Sequence, residues 1–350
     1  MASTTAQKQP KAVIHPWVDA LAIGGISIGF ISYLLVVQPE WNGPQIGERF
    51  VVLAALLNWP HFMATYRLLY GSSESVKRYP WSSIWMPLLL GVYCLMAAIS
   101  VPWTRVPLDI ATFVAGGYLA WHYTGQTWGM MATFSFLGGA PFEDVEKKLI
   151  RFSLRCLLTW HVVWFLYFTK LFHSGRWLHA NASWAYTGAS ILLVGTALAT
   201  GLTGLIKYAR RIERIPPVRV LIPWTSIWIW YALLAVWPFA LFWVQLSHSL
   251  QYLIFPARVE ANRAAEQGGT IPWRRWAMWG VIVLGSGVAV FKGLPVIIEW
   301  SVPVLGKTNQ ADVELAVGAF INIHHYFADG VIWKLSNPYV RKELFSHLRR

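Results

Sequence analysis

Charged side chains are scarce in this sequence. Only 13% of the 350 residues are Asp, Glu, Lys or Arg, whereas 56% are hydrophobic. Soluble domains carry about 25% charged residues, because a water-exposed surface needs them. The shortage therefore excludes an ordinary soluble globule and predicts an all-α, polytopic integral membrane protein. The 22 tryptophans fit this prediction, since indole rings collect where a bilayer meets water.

Cysteine is almost absent, and several cofactor motifs are missing. Cys94 and Cys156 each lie inside an apolar run, where we expect small core residues and no disulfide or metal motif. The sequence contains no CxxCH motif, which excludes covalently attached c-type haem and leaves b-type haem open. The HxxxH and HxxHH boxes of membrane desaturases and alkane hydroxylases are also absent. Chemistry must therefore come from isolated residues brought together by folding.

Glycine pairs occur without the surroundings of a phosphate-binding loop. No strand pattern or basic residue accompanies them, so we expect them to allow close contacts between helices. This prediction covers three pairs, namely Gly24-Gly25, Gly116-Gly117 and the GxxxG pair Gly125 and Gly129.

Ten apolar segments follow one another along the chain, each about long enough to cross a bilayer. They lie near residues 17–38, 49–71, 81–102, 107–138, 149–172, 183–207, 220–237, 238–257, 276–298 and 311–335. Residues 220–256 can alternatively form one helix kinked at Pro238, which would leave nine crossings. With ten crossings and both termini cytoplasmic, all but six of the 29 Lys and Arg residues lie on the cytoplasmic side. Nine crossings largely remove this bias.

The chain is predicted to be a single membrane domain over residues 1–350. Residues 1–16 form a cytoplasmic tail without the apolar core of a signal peptide, and residues 337–350 form an amphipathic cytoplasmic tail. The net charge of +13 is explained by topology and anionic lipid, so the bilayer is an expected partner and nucleic acid is not. We expect the protein in the cytoplasmic membrane of a bacterium, with its chemistry inside the bilayer.

Histidines within the apolar segments are the strongest functional signal. The last segment, residues 311–335, contains His324 and His325 near its middle. At 100° per residue, Asn322, His325 and Asp329 fall on one face of a helix. The same arrangement, a histidine with polar side chains three or four residues away, recurs at His61, His122 and His248.

The four histidines are predicted to lie at one depth. They stand about 12, 15, 10 and 14 residues into their segments, in chain order, and in the ten-segment topology all four helices run in the same direction. Polar neighbours accompany each: Asn58 and Thr65 at His61, Gln126 at His122, Gln245, Gln251 and Tyr252 at His248, and Asn322 and Asp329 at His325. Polar groups inside a bilayer are costly, so a cluster of them indicates function.

The pattern favours a metal centre with His61, His122, His248 and His325 as ligands. Imidazole binds iron, copper and zinc, and a ligating histidine usually donates its second ring N–H to an amide, carboxylate or carbonyl. The alternative is that each histidine is a hydrogen-bonded interior residue. His161 has only apolar neighbours and is a weaker candidate. His15 and Asp19 form an i,i+4 pair that favours an interfacial anchor over a further ligand pair.

These features resemble the bacteriorhodopsin-associated β-carotene dioxygenases, the Brp/Blh family, and other His-rich membrane non-haem iron oxygenases. The resemblance rests on the early Pro60-His61 dipeptide and the late helix with His324-His325. It covers isolated motifs, and Pro60-His61 is followed here by Phe62-Met63-Ala64 where that family has Gly-Ala. The resemblance implies a reaction class, oxygenation at a non-haem iron.

The leading hypothesis is a membrane oxidoreductase. A non-haem iron, mononuclear or dinuclear, would activate O₂ and oxidise or cleave a lipophilic substrate from the bilayer, with an electron-donor protein as a further partner. Copper or zinc are alternative metals. Asp329 is predicted to accept an imidazole N–H in preference to binding the metal directly, and His324 lies on the adjoining face; both are candidate catalytic residues. The alternative functions are a b-type haem electron carrier and a transporter or structural subunit with hydrogen-bonded histidines.

The ten-segment topology predicts that a reporter fused after Arg350 is cytoplasmic. A reporter placed in the basic loop at residues 207–219 should also be cytoplasmic, because positive charge is retained on that side. Paired alkaline phosphatase and green fluorescent protein fusions measure this. An extracytoplasmic signal at the C-terminus would mean an odd number of crossings and would remove the common depth of His248.

Overall fold

The computed structural model describes residues 11–43, 45–169, 176–266, 272–302, 310–334 and 337–348. Within these ranges the chain is helical and has no β-strand, so the predicted all-α class is confirmed. Ten long helices, α1 to α10, coincide with the predicted segments. They are α1 (Pro16–Val36), α2 (51–70), α3 (Trp81–Ser100), α4 (Val106–Leu137), α5 (Asp144–Thr169), α6 (Arg176–Arg211), α7 (Val218–Val236), α8 (Leu241–Glu266), α9 (272–301) and α10 (Gln310–Ile332). A short helix, α11 (Pro338–Phe345), follows them.

Six of the described helices are long and apolar enough to cross a membrane, which supports the prediction of a membrane protein. They are α1, α3, α5, α6, α7 and α9. The four other long helices, α2, α4, α8 and α10, each carry one of the four candidate histidines. Their lower hydropathy reflects the polar residues they bring to the interior. Such residues are tolerated at membrane depth where they face protein and not lipid.

The apolar run at residues 220–256 forms two separate helices. Helix α7 ends at Val236, and Pro238–Ala240 form a short 3₁₀ turn before α8 begins at Leu241. Pro238 lacks the N–H that would continue the α7 hydrogen-bond pattern. His248 therefore stands in the second turn of a new helix.

A turn of π-helix in α1 connects the first helix to the interior. The turn covers Leu21–Gly25, and Gly24 has φ +148°, a conformation that favours glycine. The distorted backbone leaves the carbonyl oxygen of Ile23 to accept a 2.7 Å hydrogen bond from Nε2 of Gln251 on α8. Such π turns often occur at functional sites, and this one anchors the helix that carries His248.

The glycine pairs differ in their surroundings. A Cβ atom on Gly24 would lie 1.9 Å from Oγ of Ser226, and one on Gly116 would lie 2.2 Å from the ring of Phe165. Both pairs therefore include a close helix contact, as predicted. The prediction is wrong for Gly125 and Gly129, because a Cβ atom at either position would meet nothing within 4 Å. These two glycines border open space.

The C-terminal helix α11 packs against the protein. Asn262 on α8 donates hydrogen bonds from Nδ2 to the carbonyl oxygens of Glu343 and Leu344, at 2.7 and 3.1 Å. Leu344 and Phe345 are buried. The helix predicted to lie on lipid therefore uses its apolar side against α8.

Replacing Gly24 with Ala should destabilise the protein, whereas Gly29→Ala on the same helix should not. Alanine at Gly24 would need a positive φ and would overlap Ser226, which should lower the free energy of unfolding by more than about 1 kcal/mol. Gly29 has no atom within 4 Å of a Cβ position. Thermal unfolding of the detergent-solubilised protein compares the two. Equal melting temperatures would contradict the role given to the α1 π turn.

Candidate metal centre

Four histidines from four helices converge in the interior. His61, His122, His248 and His325 are each at most 4% exposed, and their candidate ligand atoms all lie within 4.8 Å of one another. The ring centroids of His61 and His325 are 4.4 Å apart, and those of His122 and His248 are 4.6 Å apart. The predicted common depth is thus realised as one group that can hold a metal ion.

His61 is oriented by the backbone of its own helix. A turn of π-helix at Ala54–Asn58 precedes it, and Pro60 stands directly before it. Nδ1 of His61 lies 3.1 Å from the carbonyl oxygen of Asn58. A carbonyl can only accept, so Nδ1 carries the proton and Nε2 keeps its lone pair. This is the usual arrangement of a metal-binding imidazole.

His122 and His325 present their Nε2 atoms to the same point. The two atoms are 3.2 Å apart. Four ligands on a tetrahedral ion with bonds of about 2.0–2.1 Å lie about 3.3–3.4 Å from one another. The observed distance therefore matches an edge of a coordination shell, and the 4.8 Å span of the whole group exceeds that edge by about 1.4–1.5 Å.

Several ring nitrogens of the cluster have no hydrogen-bond partner among the described residues. They are Nε2 of His61, both nitrogens of His248 and Nδ1 of His325. A buried polar atom without a partner costs about 1–3 kcal/mol. The summed cost of four such atoms, about 4–12 kcal/mol, is comparable with the free energy of unfolding of a whole domain, about 5–15 kcal/mol. The cluster is therefore suited to a ligand that accepts nitrogen lone pairs, as a metal ion does.

Asp329 joins the cluster to a set of hydroxyl groups. Its Oδ1 accepts hydrogen bonds from Oγ1 of Thr65 at 2.9 Å and from the hydroxyl of Tyr252 at 3.0 Å. Its Oδ2 lies 3.5 Å from Nε2 of His325 and 3.8 Å from Nε2 of His122. One oxygen is thus held by hydroxyls while the other faces the ligand nitrogens. The negative charge of Asp329 therefore lies beside the position that an ion held by these nitrogens would take.

The polar neighbours predicted from helix spacing have mixed outcomes. Gln126 donates from Nε2 to the carbonyl oxygen of His248 at 3.2 Å, so it supports a histidine of a different helix. Asn322 donates to the carbonyl oxygen of Gly318 and accepts from the hydroxyl of Tyr326, and it is not a partner of His325. The prediction for Asn322 is wrong because its amide is taken up by Gly318 and Tyr326 of its own helix.

Trp333 is a residue that the sequence analysis did not identify. Its Nε1 donates to the hydroxyl of Tyr252 at 2.8 Å, and Tyr252 in turn donates to Asp329. Its position one helical turn after Asp329 on α10 was the available signal.

His324 and His161 lie outside the cluster. Nε2 of His324 is 2.9 Å from the carbonyl oxygen of Ser82, and its ring stacks on Tyr66, so it links α10 to α3 and α2. Its catalytic role stays a prediction. His161 is buried among aromatic rings, with Trp164 and Tyr231 the nearest at 5.2 and 5.5 Å.

The His15 and Asp19 pair forms a structural cap. Nδ1 of His15 accepts from the backbone N–H of Trp17, and Asp19 accepts from the backbone N–H groups of Val13 and Ile14 and from Arg219. This matches the predicted anchoring role.

A cavity of about 350 Å³ reaches the metal-binding group from one side. His122, Tyr252 and Asp329 line its inner end. Arg151 and Lys334, both exposed, line its outer end. Pockets of about 300–1,000 Å³ bind small molecules, so the cluster is accessible to a ligand of that size.

Comparison with protein-family models, with curated proteins and with solved structures gives no match for this chain. The functional argument therefore rests on the geometry of the site.

Replacing any one of His61, His122, His248 and His325 with Ala should remove most of the bound metal. Each change takes away one of four nitrogen donors and leaves the helices otherwise intact. His161→Ala is the matched control, because it also removes a buried imidazole but lies outside the cluster. Metal per chain is measured by mass spectrometry after purification without added metal. Unchanged metal content in all four variants would contradict the assignment.

Asp329→Asn should keep the metal but weaken its binding by about 10 to 100-fold. Asparagine has almost the same shape but lacks the negative charge that lies beside the bound ion. Competition with a chelator of known affinity measures the change. Complete loss of metal would make Asp329 a direct ligand, and wild-type affinity would show that the carboxylate does not support the centre.

Proposed function

We propose that this protein is a membrane metalloenzyme that uses one iron ion, held by His61, His122, His248 and His325, to oxidise or cleave a lipophilic substrate with O₂. The observation that carries the proposal is the convergence of four buried histidines whose ligand atoms lie within 4.8 Å. An all-nitrogen donor set suits iron, copper or zinc. A bound ferrous ion supplies the activation of O₂, which ordinary side chains do not provide.

The geometry favours a bare ion over haem. Two axial histidines of a haem place their nitrogens about 4 Å apart, twice a metal–imidazole bond of about 2 Å, with the porphyrin ring between them. Here two further imidazoles occupy the space that the porphyrin would need. Four donors within 4.8 Å also suit one ion better than two, because two-metal sites hold their ions about 3.5–4 Å apart and need more ligands.

The geometry also favours a metal centre over a proton relay or a purely structural cluster. A relay needs its rings joined by hydrogen bonds, and structural histidines need partners for their nitrogens. Among the described residues, His248 has neither, since both of its ring nitrogens lack partners. An imidazole in this state serves best as a ligand.

Each part of the chain has a role in this proposal. The carbonyl oxygen of Asn58 keeps the proton of His61 on Nδ1, and Asp329 places a negative charge beside the Nε2 atoms of His122 and His325. The aromatic walls of the cavity exclude water and admit an apolar molecule. If both atoms of O₂ enter the substrate, no external reductant is needed. If only one does, an electron-donor protein supplies two electrons.

We further propose that all ten long helices cross the cytoplasmic membrane of a bacterium, with both termini on the inside. The six apolar helices shield the four that carry the histidines. The resemblance to the membrane carotenoid dioxygenases supports the same reaction class at a non-haem iron.

The proposal is tested with nitric oxide, which binds a ferrous ion where O₂ would. The full chain, purified and loaded anaerobically with iron, should give the electron paramagnetic resonance signal of a ferrous–nitrosyl centre and no Soret absorption. His122→Ala should lose the signal and His161→Ala should keep it. A Soret band in stoichiometric amount, or a wild-type protein that binds no iron, would overturn the proposal.

A further inference from the structure

The cavity beside the metal-binding group is apolar along most of its length. Trp121, Trp128, Met130, Phe255 and Trp333 contribute to its walls. Polar side chains are concentrated where it meets the cluster. The walls therefore suit the hydrocarbon part of a ligand.

The outer end of the cavity carries positive charge. Arg151, at the start of α5, and Lys334, just after α10, are both exposed there. The guanidinium of Arg151 lies 6.0 Å from the ring centre of Trp128. Among the described residues that line the cavity, Asp329 is the only carboxylate, and it lies at the inner end. The two cations are therefore positioned to bind an anion at the mouth.

Two glycines keep the passage open between these ends. Gly125 and Gly129 stand one turn apart on α4, and a Cβ atom at either would meet nothing within 4 Å. The lining of α4 extends from His122 to Thr133, a rise of about 16 Å along the helix. A narrow space of this length fits an extended chain better than a compact ring system.

We infer that this cavity binds an amphiphile with an anionic head group and a hydrocarbon chain, of which a long-chain carboxylate is the simplest. Arg151 and Lys334 hold the head group, and the chain extends past Gly129 and Gly125 toward His122 and Asp329. The inference rests on the proposed function, since it names the substrate class of that site. A neutral hydrocarbon would make no use of the two cations at the mouth of the cavity.

The test uses the metal-free full chain and two probes of equal length, a fluorescent polyene fatty acid and the corresponding alcohol. The Arg151→Gln, Lys334→Gln double variant should bind the acid about tenfold more weakly, the effect of two exposed charge contacts, and should bind the alcohol as before. Gly129→Leu should lose the binding of both probes, because the side chain fills the passage. Gly188→Leu is the matched control, since Gly188 also borders open space but lies on the exposed side of α6.

Two results would overturn the inference. Wild-type affinity in Gly129→Leu would place the ligand elsewhere, and equal affinity for acid and alcohol in the wild type would make the ligand neutral. Metal content is measured on the same preparations. A wild type that binds iron but not the acid would refute this inference alone, and one that binds the acid but not iron would refute the proposed function alone.

Discussion

The structure depends on how the nitrogens of four buried imidazoles are satisfied in an apolar interior. A buried ring nitrogen needs a partner, because leaving it without one costs free energy. Asn58 provides for one nitrogen of His61, and Asp329 approaches His122 and His325. One ligand nitrogen from each of the four histidines lies within 4.8 Å of the others. A single ion there would bind one nitrogen of each ring.

The helices divide into two groups that meet this requirement. Four less apolar helices supply the histidines and the hydroxyls that hold Asp329, and six apolar helices have the length and composition to face lipid. The connections between the groups are specific. Gln251 of α8 bonds to the distorted backbone of α1, and Nε2 of His324 on α10 lies 2.9 Å from the carbonyl oxygen of Ser82 on α3. These contacts join the helices that carry the histidines to the apolar ones.

Much of the site was predictable from the sequence, because the depth of a residue along a helix depends only on how many residues separate it from the start of the helix. Counting residues from each segment start placed His61, His122, His248 and His325 at one level, and helix periodicity put Asp329 beside His325. Periodicity could not tell which of several same-face neighbours a polar side chain bonds to, so Asn322, which bonds to Gly318 and Tyr326 of its own helix, was wrongly paired with His325. It also could not distinguish a glycine that admits a helix from one that borders a cavity. Gly125 and Gly129 were misinterpreted for that reason, and the cavity itself appears only after the helices pack.

X-ray absorption at the metal edge of the purified full chain shows directly whether the four histidines bind one metal ion. We expect nearest neighbours at about 2.0–2.1 Å that are nitrogen or oxygen, with the outer-shell scattering of at least three imidazole rings. A nearest shell of sulfur at about 2.3 Å, or a metal without imidazole scattering, would contradict it.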